Sequence, residues 1–272
     1  MKRLLLVLHW LNLDTAIGAG ITALFVARHL GVVIPATVVL SLALAVLAIY
    51  NFDHLMDARQ ITGTARSARH RFYQQNAPML ARYQVVLLLA LLAASWYVPA
   101  AIVRAGIVLA AVALIYFLLL FIVLPKRFLF KEVIIAAVYV CGIFLPVVAG
   151  NRVPVGHILP LWMQLFLLAL GNTLIFAWFD YDLDRQEGHA SLARVLGRKT
   201  IYWLSLALLL ILGLSVAGHL LAGNNFCYQL IIALMAMVLA FNLLLHKYTG
   251  RYEIFRLAGD AIFFLPLIGL LW

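Results

Sequence analysis

Two pairs of aspartates at a spacing of four residues are the feature of this sequence best suited to chemistry. One closes an apolar run as Asp53-His-Leu-Met-Asp57, and the other closes a second run as Asp180-Tyr-Asp-Leu-Asp184-Arg-Gln-Glu-Gly188. Residues i and i+4 share a helix face, so each pair sets like charges side by side, which is unfavourable unless a cation lies between them. Hard carboxylate oxygens suit Mg2+, which commonly links one or two protein carboxylates to a substrate diphosphate. Phosphate oxygens that the metal leaves uncovered need cationic side chains. Arg66 and Arg69 follow the first pair, Arg185 follows the second, and Lys126, Arg127 and Lys131 form a third basic stretch. Acids ringed by bases fit the binding and ionisation of an allylic diphosphate, with Mg2+ stabilising the leaving group as charge develops. An allylic cation is attracted to aromatic faces, and Tyr50, Phe52, Tyr116, Phe117, Trp178, Phe179 and Tyr181 lie near the same ends of the apolar runs.

The elements that must position these groups are apolar almost throughout. Of 272 residues, 66% are hydrophobic and 11% charged, and the mean hydropathy is +1.07. This composition excludes an ordinary soluble domain. The expectation is one all-α, polytopic membrane domain over residues 1–272, with nine transmembrane helices near 4–27, 32–50, 83–99, 101–124, 132–150, 158–179, 201–222, 226–246 and 254–271. Met1-Lys-Arg before Leu4 opens a retained first helix, because no small-residue cleavage site follows. With the N-terminus cytoplasmic, all of the 20 Lys and Arg fall inside except Arg28, Arg104 and Arg152. That bias is the ordinary signature of membrane topology and leaves the C-terminus outside. It also accounts for the net charge of +10 without nucleic acid. Both acidic pairs come out at the cytoplasmic face, and a bacterial inner membrane is the plainest location. An even number of spans separates the pairs, as in a parallel internal duplication with Asp53 and Asp180 as corresponding positions.

Other polar residues read less sharply. Asn12 and Asp14 lie about 15 Å into the first span by helical rise. A carboxylate at that depth must face a cavity or a partner, so both are assigned, with Tyr50 and Tyr116, to an acceptor or prenyl pocket. Asp260 is read as a helix-packing contact with Asn242 and His246 as partners. His9, His29, His157 and His219 have no ligand-like spacing and read as interfacial or packing residues, while Gly18-Ala-Gly20 allows close helix approach. Asp182 lies off the face shared by Asp180 and Asp184, which fits a supporting or solvent-facing role for it. Cys141 and Cys227 fall in or beside apolar runs and imply no metal site.

The pattern resembles the UbiA-type intramembrane prenyltransferases, nine-helix proteins with one Asp-rich motif after the second helix and another after the sixth. Asp180-x3-Asp184-x3-Gly188-x2-Ser191-Leu-Ala, with Gly197 following, is similar to that family's second motif, and Tyr116, Pro125-Lys126-Arg127 and Lys131 resemble its loop between the fourth and fifth helices. The first motif departs from the family's Asn-Asp-x2-Asp-x3-Asp, reading Asn51-Phe-Asp53-x3-Asp57: either Asn51 is shifted in register, or Asp53 and Asp57 take the last two acidic places. The resemblance covers essentially the whole chain and implies a helical bundle around a central cavity open to the cytoplasm. It implies Mg2+ on Asp53, Asp57, Asp180 and Asp184, and Asp180 and Asp184 as catalytic residues. Diphosphate contacts then come from Asn51, Lys126, Arg127, Lys131, Arg66, Arg69 and Arg185, the donor is a prenyl diphosphate, and the acceptor is a lipid or aromatic compound taken from the membrane. Two readings compete. A prenyl-lipid binding or transport protein could use the same fold without catalysis, and a CDP-alcohol phosphotransferase also uses membrane aspartates. The latter needs its acids in one compact run, which this chain splits between two helices.

Overall fold

Long apolar runs satisfy their backbone only by coiling, and the computed structural model is all-helical, with no strand among the residues it describes: 2–123, 130–150, 153–188, 191–223, 225–250 and 254–271. In chain order the helices are α1 (Lys2–Trp10), α2 (Leu13–His29), α3 (Ala36–Gln60), α4 (Ala68–Gln75), α5 (Ala77–Ser95), α6 (Ala100–Leu118) and α7 (Lys131–Gly150). There follow α8 (Val155–Phe179), α9 (Tyr181–Glu187), α10 (Leu192–Leu196), α11 (Arg198–Leu221), α12 (Phe226–Leu244), α13 (His246–Thr249), α14 (Ile254–Ala261) and α15 (Pro266–Leu270). Proline, which lacks an N–H, marks helix starts: Pro35, Pro99 and Pro154 cap α3, α6 and α8, and Pro266 opens α15.

Seven of these helices are long and apolar enough to cross a membrane: α3, α5, α6 with its extension to Ile122, α7, α8, α11 and α12. The first and last expected spans are instead broken. Asn12, at φ 58° in the left-handed region, separates α1 from α2, and a 3-10 turn over Ile262–Phe264 separates α14 from α15. The second span runs from Ala36 to Gln60 rather than ending near residue 50, so both aspartates of the first pair lie inside a continuous helix. The third begins at Ala77 rather than 83.

Helix α2 packs against α3, α7 and the two C-terminal pieces. The approach is close at Gly18, where a Cβ would stand 2.8 Å from Phe263 Cβ. Helix α8 packs against α7, α11 and α12. Between α8 and α12 the side-chain amides of Gln164 and Gln229 pair reciprocally, at 3.0 and 3.2 Å, and Gln164 also donates to Ser215 of α11 at 3.1 Å. The outer faces of α5, α6 and α11 present Val85, Leu89, Ile107, Ile115, Leu210 and Leu214, an apolar surface suited to lipid rather than water.

Candidate active site

Both acidic pairs open onto one cavity of about 170 Å³, lined by Asp53, Asp57, Asp180 and Asp184 together with Lys131, Arg69 and Arg256. The first pair projects from the last turns of α3. The second sits at a break, because α8 ends at Phe179 and Asp180 both closes α8 and opens α9. The Asp184 N–H donates to the Asp180 carbonyl at 2.8 Å, so one helical turn survives the break and the i, i+4 relation is kept.

The carboxylates are held by cations from other helices. Lys131, the first residue of α7, lies 3.4 Å from Asp57 Oδ2, and Arg256 of α14 pairs with Asp180 while lying over the ring of Phe255, 5.1 Å from its centroid. Asp53 Oδ1 is buried and has no hydrogen-bond partner among the described residues. Burial, then the neighbouring Asp180 charge, pushes the Asp184 carboxyl up to about 7, so its charged form is favoured by a cation beside it. Asp182 faces outward and pairs with Arg198 at 3.0 Å.

A second, apolar chamber of about 90 Å³ lies between α3, α6 and α7, lined by Leu42, Val46, Leu109, Tyr116, Phe117 and Val138. It shares Tyr50, Asp53, Ile135 and Tyr139 with the polar cavity, so the two spaces meet beside the first acidic pair.

The remaining candidates separate into groups. Asn12 and Tyr50 line the polar cavity, and Asp14 reaches its edge by bonding His9, another lining residue. Asn51 does not line it: two residues before Asp53 it points across α3, is fully buried, and donates to the Leu80 carbonyl and to Gln84 Oε1 of α5. Arg66 is turned to Gln186, and Arg185 is exposed and outside the lining set. Lys126 and Arg127 lie outside the described residues.

Three features escaped the sequence reading. Arg256 looked like one more inner-loop cation. Glu187 is a clamp: its Oε1 accepts from the backbone N–H groups of Arg66, at 2.7 Å, and Ser67, at 3.1 Å, and its Oε2 lies 2.7 Å from His70 Nδ1. The loop after the first pair is thereby tied to the helix of the second. Asp260 is placed beside His9 at 3.8 Å, not with Asn242 or His246, which bond to the Phe255 and Leu243 carbonyls. His9 is accordingly no mere packing residue, since its Nδ1 lies 2.5 Å from Asp14 Oδ2. No helical periodicity pairs residues 9 and 14; the left-handed break at Asn12 does.

No protein-family model matches the sequence. No curated protein matches it either. Solved structures do match over nearly the whole chain. An apo UbiA homologue from Aeropyrum pernix K1 superposes with a TM-score of 0.67 at 18% identity, covering 94% of this chain and 96% of its own. A UbiA homologue from Archaeoglobus fulgidus, bound to DMAPP and Mg2+, gives 0.58 at 16% identity and 98% of both chains. A digeranylgeranylglyceryl phosphate synthase gives 0.55 at 16% identity, over 100% of this chain and 97% of that one. With a helical bundle that puts two acidic pairs on one cavity, this chain has the fold of the UbiA homologues.

Proposed function

We propose that this protein transfers an isoprenyl group from a prenyl diphosphate to a lipid or aromatic acceptor within the membrane, with Mg2+ held by Asp53, Asp57, Asp180 and Asp184. The observation that carries the reading is the convergence of both pairs on one cavity that joins an apolar chamber. The residues fit Mg2+: the four donors are all carboxylates, and Asp53 Oδ1 lacks a partner among the described residues. When bound, the ion neutralises the diphosphate and stabilises it as the leaving group. Lys131, Arg69 and Arg256 take phosphate oxygens, and the prenyl chain lies in the chamber with Tyr50 and Tyr139 at its mouth facing the developing allylic cation. Lys126, Arg127 and Arg185 belong to the same proposal as outer diphosphate contacts, whereas Asn51 and Arg66 support the helices that carry the acids. The Archaeoglobus fulgidus homologues bound to DMAPP or GPP with Mg2+ support this use of the fold. The proposed topology is nine spans in one domain of a bacterial inner membrane, with the N-terminus and cavity mouth cytoplasmic and the C-terminus outside.

The test is diphosphate release from geranyl diphosphate by purified protein supplied with a pool of aromatic and lipid acceptors, with and without Mg2+. Asp57→Asn and Asp184→Asn are expected to lower the Mg2+-dependent rate by about 100-fold or more while thermal unfolding is retained. Undiminished release in both variants refutes the assignment. Mg2+-dependent donor binding without release identifies a binding or transport protein instead.

A further inference from the structure

The polar cavity also has a wall built by elements near the two ends of the chain, and its chemistry differs from that of the four aspartates. His9, Asn12, Thr15, Tyr50 and Asp260 line it, and Asp14 stands behind His9. His9 Nδ1 is flanked by two carboxylates, Asp14 Oδ2 at 2.5 Å and Asp260 Oδ2 at 3.8 Å, so Nδ1 carries the proton and donates it to Asp14. The second oxygen of Asp14 accepts the Thr15 backbone N–H at 2.9 Å, which fixes the carboxylate. The other imidazole nitrogen, Nε2, is left as an acceptor and has no protein partner among the described residues. Three elements build this wall: the residue before the break, the first turn of α2, and the C-terminal helix α14. A carboxylate that orients a histidine through Nδ1 and leaves Nε2 open is the arrangement of a general base.

We propose that the His9–Asp14–Asp260 cluster seats the acceptor, that the acceptor is a neutral hydroxyl compound such as a phenol rather than a carboxylate or phosphate, and that His9 Nε2 removes its proton. The inference rests on the prenyl-transfer reading and adds to it the acceptor class. In the step, the acceptor oxygen bonds to C1 of the prenyl group. The C1–O bond to diphosphate breaks with its electron pair on the leaving group, and the acceptor proton passes to Nε2. Two carboxylates at this wall oppose an anionic acceptor, and of the cavity's cations Lys131, Arg69 and Arg256 the first and last are already paired with Asp57 and Asp180.

Methyl 4-hydroxybenzoate and 4-hydroxybenzoate are a matched pair of phenols, one neutral and one anionic. Binding to the purified protein, measured by calorimetric titration with Mg2+ and without donor turnover, should favour the ester by about tenfold or more. In Asp14→Asn and Asp260→Asn the ratio should fall toward one, whereas a purely structural defect would weaken both ligands alike. In transfer from geranyl diphosphate at neutral pH, His9→Gln should lower the rate with the ester by about 100-fold, and the deficit should shrink as pH rises toward the phenol's own ionisation. Failure of the ester to bind, equal binding of ester and acid, or a His9→Gln deficit that does not change with pH overturns the proposal. So does a stoichiometric divalent ion held by these three residues. Absence of Mg2+-dependent diphosphate release while the ester preference persists would fault the prenyl-transfer reading and not the seat.

Discussion

Glu187 illustrates how much one side chain does at the end of the bundle that carries the two acidic pairs. Burial alone would raise its carboxyl, yet the hydrogen bonds from His70 and from the Ser67 and Arg66 backbone overcome that and hold it at about 2, below the usual 4.5. A carboxylate with a depressed folded value stabilises the fold above its unfolded value and loses that contribution as pH falls toward the folded one. Glu187→Gln should therefore lower stability by about 1 kcal/mol near neutrality, a figure discounted for solvent around the loop. Thermal unfolding as a function of pH checks this: the gap between wild type and variant should narrow below pH 4.5 and close near pH 2. An unchanged gap across that range would remove the ionic account of the clamp. At this scale the four aspartates were legible, because acids that close apolar runs stand out. Arg256 and Glu187 were not, because their partners lie far away in sequence. His9 was hidden by a backbone angle that no periodicity reports.

Among elements, the α8–α12 contact makes the plainest prediction. Gln164 and Gln229 satisfy one another in an apolar setting, so removing Gln229 leaves the Gln164 amide with only its bond to Ser215 and its oxygen unpaired. Gln229→Leu should destabilise the folded protein in detergent by about 1 kcal/mol. The double variant Gln164→Leu with Gln229→Leu should recover part of that loss, because neither amide is then left unpaired. A double-mutant cycle from thermal unfolding measures the coupling, and strictly additive losses would contradict it. The helices themselves were read well where proline or a long apolar run set their limits. The second span was underestimated because Asp53, His54 and Asp57 look like an exit from the membrane, yet Asp57 and His54 are buried and α3 continues to Gln60. The break in the first span escaped notice because Asn12 is no strong breaker, whereas the break in the last span is marked by Pro266, whose missing N–H was passed over inside a long apolar run.

At the scale of the whole molecule, the seven long helices and the lipid-suited exterior follow directly from composition, whereas the shape of the two joined spaces follows from packing and could not be read from it. The topology proposed above has a direct check. Cys227 is exposed in the first turn of α12, next to a turn assigned to the outer side, while Cys141 is half-buried in the middle of α7. A membrane-impermeant maleimide should label Cys227 in intact spheroplasts and not in inverted vesicles; the reverse pattern would invert the assigned orientation. The Glu187 clamp also bears on how this architecture can be rebuilt or inherited. The segment after the first acidic pair and the helix of the second, though far apart in the chain, form one fitted joint with donors on one side and the acceptor on the other. A chimera that borrows only one half inherits a lock without its key, so the two segments have to be exchanged as a set.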